Sequence, residues 1–68
     1  MTTTTYSVLQ LALSKQLKND QQNLDLVRKH PYSDSAVAFW EKQVGETERA
    51  ITETREIYEA SLFKKLVG

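Results

Sequence analysis

The sequence predicts an all-α fold, an antiparallel two-helix hairpin that associates into a homodimeric four-helix bundle or a larger helical oligomer. Three observations lead there. Val37, Trp40, Val44, Thr47, Ile51, Thr54, Tyr58, Leu62 and Leu66 recur at three-four spacing with no proline among them, which is the stripe of one long amphipathic helix. Only about thirty residues precede Pro31, enough for one partner helix and no more. The chain has 68 residues and no cysteine. At that size a lone core rarely contributes more than about 3–5 kcal/mol without a staple, and no disulfide or thiolate metal site can act as one. Self-association is the remedy left.

Taken in order, the elements follow from local chemistry. Thr2–Thr5 is a β-branched polar stretch with no evident reason to order, so residues 1–5 read as a flexible leader to the single 1–68 domain. Ser7 with Gln10 fits a capping box, and Tyr6 and Leu11 take the flanking staple positions. The first helix is then expected over 7–29, with Leu9, Leu13, Leu17, Leu24 and Val27 along one side and a polar gap at Asp20 and Gln21. Pro31 disfavours the α conformation at His30, and Arg28 and Lys29 suit the negative end of a helix dipole, so the helix stops there. Ser33 is the expected cap of a second helix over 34–66, with Asp34 in its first turn and Tyr32 and Val37 as staple. So short a joint returns the second helix antiparallel to the first.

Within the second helix, Lys42–Glu46, Arg49–Glu53 and Arg55–Glu59 stand four apart on a solvated face. Gly45 costs roughly 1 kcal/mol against alanine and suggests a slight bend or a close helix approach. Thr47, Thr54 and Ser61 are small polar seam positions that favour close approach and one register over a tight apolar seam. Trp40 falls on the stripe as a core anchor. Phe39 points about 100° away from it, either as an ordinary exposed ring or as a contact to another chain.

Antiparallel pairing brings the start of helix one beside the end of helix two, and both are apolar on more than one side. Leu9, Leu13, Ile57, Tyr58, Leu62, Phe63 and Leu66 are therefore the expected oligomer interface. Charge favours the pairing modestly: residues 1–30 hold four basic and two acidic side chains, and residues 31–68 hold five and seven.

The inventory of chemistry is short. Nine basic and nine acidic side chains cancel, which removes the positive field behind general nucleic-acid or anionic-membrane binding. No apolar run approaches a membrane span, and the start of the chain lacks the pattern of a signal peptide, so a cytoplasmic location is expected. One histidine and no cysteine leave no Cys–His pair, and a serine triad would have to use His30. Glu53, Glu56 and Glu59 recur without the histidines of a di-iron bundle, and the two glycines, Gly45 and Gly68, build no phosphate loop. We expect no enzyme activity, no metal site and no cofactor.

One cluster suits a small anionic or nucleotide-like ligand: Arg28, Lys29, His30 and Tyr32 ahead of the amide-rich start of helix two, with Phe39 as a flat apolar surface. Against this stands the plainer role of Arg28 and Lys29 as helix caps. The primary functional expectation is a non-enzymatic, self-associating interaction module that regulates or inhibits a partner macromolecule. An oligomeric binder of a small anion is the alternative, and a filament-forming structural subunit follows if association is head-to-tail.

Overall fold

A computed structural model describes residues 1–29 and 34–67, with side chains described as far as Lys64. It contains two helices, α1 (Thr3–Lys29) and α2 (Asp34–Val67), packed against each other as an antiparallel hairpin. The expected capping residue Ser33, together with His30, Pro31 and Tyr32, lies outside the described residues. The hairpin is a rod 53 Å long and 17 Å wide. At about 1.5 Å per residue, the 34 residues of α2 account for that length as one continuous helix.

Helix α1 starts earlier than the sequence suggests. Thr2, not Ser7, is the cap: its hydroxyl accepts from the Thr5 N–H at 3.1 Å and donates to the Thr5 hydroxyl at 2.9 Å. The Tyr6 N–H reaches the Thr2 carbonyl at 2.9 Å, the first bond of the helix ladder. Most of the supposed leader is thus the first turn of α1. Threonine is an effective N-cap even though it is a mediocre helix interior residue, and a run of four threonines hides the first property behind the second.

The seam is read from burial. In α1 it runs Tyr6, Gln10, Leu13, Leu17, Asp20, Leu24, Val27, and in α2 Val37, Trp40, Val44, Thr47, Ile51, Thr54, Tyr58, Ser61, each in alternating steps of three and four. Leu9 is displaced from the expected stripe, and Gln10 takes its place. Steps of four overshoot the helical turn by about 40°, so leucines at 9, 13 and 17 cannot share one seam. The same drift leaves Ser61, rather than Leu62, on the seam of α2.

Leu24 and Val27 are the only buried apolar side chains among the described residues. Polar contacts hold much of the remaining seam. Asp20 is 1% exposed; the Gln16 amide donates to its Oδ1 at 2.7 Å and the Thr47 hydroxyl to its Oδ2 at 2.7 Å. The Gln10 amide donates to the Ile51 carbonyl at 3.2 Å. Near the open end the Tyr6 and Tyr58 rings stack at 4.1 Å and 7°, and the Tyr58 hydroxyl is 2.8 Å from that of Thr3. Thr3 begins α1, whereas α2 continues from Tyr58 to Val67. The last turns of α2 therefore run on past the start of α1.

Of the two readings of Gly45, a slight bend or a close helix approach, the second falls away. An added Cβ would meet nothing within 4 Å, so no close helix approach requires this glycine. Of the three anticipated i,i+4 pairs, Lys42–Glu46 forms at 3.9 Å; Arg49–Glu53 and Arg55–Glu59 do not pair.

Candidate interaction surface

The apolar side chains that do not fit the seam collect on the outside of the rod. Val8, Leu9 and Leu11 on α1 and Ile57, Leu62 and Phe63 on α2 are exposed, Phe63 to 66%. The cause is geometric. Val8 and Leu11 lie on the side of α1 opposite the seam, while Leu62 and Phe63 follow Ser61, where α2 no longer has α1 alongside.

Of the residues expected at an oligomer interface, Ile57, Leu62, Phe63 and Leu9 are thus on the surface at one end. Leu13 and Tyr58 are half-buried within the hairpin, Tyr58 stacked on Tyr6. Leu66 lies in α2, but its side chain is outside the described residues. Phe39 and Leu26, toward the other end, are also exposed, and the Phe39 ring meets Trp40 edge-on at 5.1 Å and 85°.

Beside the open end is an open hollow of about 320 Å³, lined by Ile57, Ala60, Ser61 and Lys64. Its lining is mostly apolar, with Ser61 and Lys64 as the polar residues. That volume is at the bottom of the range for small-molecule sites, roughly 300–1,000 Å³, and suits one large side chain. Sequence reading missed this hollow, although Ile57, Ala60 and Lys64 already stand at three-four spacing.

The anion cluster comes together only in part. Arg28 is 3.6 Å from Glu41 and Lys29 is 3.0 Å from Asp25, so each described cation already faces a carboxylate. His30 and Tyr32 lie outside the described residues, and Phe39 is about one and a half turns into α2. Among the described residues no three histidine, cysteine or acidic side chains gather as metal ligands, and no helix is long and apolar enough to cross a membrane. Comparison with protein-family models, with curated proteins and with solved structures gives no match to this chain.

Proposed function

We propose that this chain is a non-enzymatic, self-associating helical-hairpin module that regulates or inhibits a partner macromolecule by direct contact. One observation carries the reading: among the described residues the hairpin buries only Leu24 and Val27 of its apolar side chains, yet exposes Val8, Leu11, Ile57 and Phe63 near one end. Exposed apolar surface of this kind marks interaction sites on small proteins, and a core of that size is in the range that oligomerisation usually reinforces. The polar seam and the paired surface charges supply structure, not catalysis.

The test has two arms. Sedimentation over a concentration series should give a mass above that of one 7.8 kDa chain. Capture from a lysate should retain partners that are lost when Leu11 and Phe63 are both replaced by glutamate. A folded monomer at every concentration, or a captured set indifferent to those substitutions, refutes the corresponding half of the reading.

A further inference from the structure

Helix α2 carries a second row at heptad spacing beside the seam, on which Phe39 and Ile57 are exposed. Ala36, Phe39, Gln43, Glu46, Ala50, Glu53, Ile57, Ala60 and Lys64 stand on one flank at seam spacing, apolar toward both ends and polar around Ala50. The flank lies about 90° around α2 from the seam occupied by α1, the angle at which a helix in a four-helix bundle meets its second neighbour. It also faces away from the Arg28–Glu41 ion pair, since Glu41 lies on the far flank of α2 by helical spacing. Leu9 and Leu26 fall on the matching side of α1, so one flat face of the rod is apolar near both ends.

The stripe is self-complementary in one direction only. Phe39, 52% exposed, stands about 30 Å along α2 from the hollow of Ile57, Ala60, Ser61 and Lys64. Ala50 lies near the midpoint between the two, where its small side chain lets two helices cross closely. An antiparallel second copy brings each Phe39 over the other's hollow at the same time. A parallel copy sets ring against ring and hollow against hollow, and fills neither.

Size and charge agree with such a pairing. The outline of this face, 53 by 17 Å, is large enough to offer the about 800 Å² per partner of a standard stable interface. The formal net charge of zero sets no long-range repulsion between copies. The same register places Glu46 of one copy near Glu53 of the other, with Arg49, one turn from both and in no ion pair among the described residues, at the adjacent helical position to offset their charge.

We propose, building on the self-association reading, that two hairpins pair through this face, antiparallel about a two-fold axis beside Ala50. In that pair, Phe39 of each copy occupies the Ile57–Ala60–Ser61–Lys64 hollow of the other. The interface is isologous and closed, which leaves Val8, Leu11 and Phe63 outside it for a different partner.

The absence of native cysteine makes the register directly measurable. Variants Ala36→Cys and Lys64→Cys retain Phe39 and the floor of the hollow. Mixed in equal amounts under oxidising exchange or with a short bismaleimide, they should give a 36–64 covalent heterodimer, while each alone gives no covalent dimer because like positions lie about 42 Å apart. Phe39→Ala should weaken association at least tenfold by sedimentation, with helicity retained by circular dichroism, whereas Phe63→Ala leaves it unchanged. A dimer by mass that links 36 to 36 or 64 to 64, or that never links 36 to 64, overturns this arrangement while the self-association reading stands. A monomer at every concentration overturns the self-association reading itself.

Discussion

At the scale of single residues, Gly45 is the simplest position to improve. It lies within α2, its missing side chain would meet nothing within 4 Å, and its backbone is helical. Alanine there lowers the entropy of the unfolded chain and favours the helix by about 0.5–1 kcal/mol. We expect Gly45→Ala to raise the midpoint of urea unfolding with an unchanged slope; a lowered midpoint would mean that another molecule packs against this position in solution. Tyr58 predicts the opposite sign. Its ring stacks on Tyr6 and its hydroxyl meets Thr3, so Tyr58→Ala loses an aromatic pair worth about 0.5–1.5 kcal/mol beyond the buried area. Tyr58→Phe removes only the hydroxyl, which stands at an exposed contact, and should cost much less. Equal losses in thermal unfolding would shift the weight from the ring to the hydroxyl.

At the scale of elements, the two helices are registered by a polar contact inside an otherwise weak seam. Thr47→Val keeps the shape of the side chain but leaves the buried Asp20 Oδ2 without its donor, at a cost of about 1–3 kcal/mol. Replacing both groups, as Asp20→Leu with Thr47→Val, should recover that loss, because apolar substitutes of similar volume need no partner. Urea unfolding of the two single variants and the double forms the cycle that checks this. If the double stays as unstable as the less stable single, the contact supplies stability rather than register.

The sequence showed where this device lies without showing what it is. Asp20 reads as a gap in the α1 stripe and Thr47 as a small polar seam position, yet pairing them needs the register, which depends on where α1 begins. That start was misplaced, because the cap on Thr2 is hidden among equivalent threonines. The hairpin itself was legible, since the stripe of α2 is long and the chain has room for one partner helix. The position of Leu9 was not, because four-residue spacing resembles a stripe over two turns and departs from one over three.

At the scale of the whole molecule, stability and association should be coupled. With Leu24 and Val27 as the buried apolar side chains among the described residues, the hairpin gains from any contact that exists only in the folded state. The melting temperature should therefore rise with protein concentration, and we expect it to do so between micromolar and millimolar chain. A closed pair gives a mass that plateaus at two copies, whereas a head-to-tail assembly keeps growing. A melting temperature that does not change with concentration would remove self-association from the description of the fold.

The overrun of α2 past α1 has its own consequence. Backbone amides in those final turns sit on a stretch of helix that α1 does not flank, so they open by local fraying without breaking the rest of the rod. Deuterium should enter there first, and any molecule that settles over Phe63 will reveal itself by slowing that uptake.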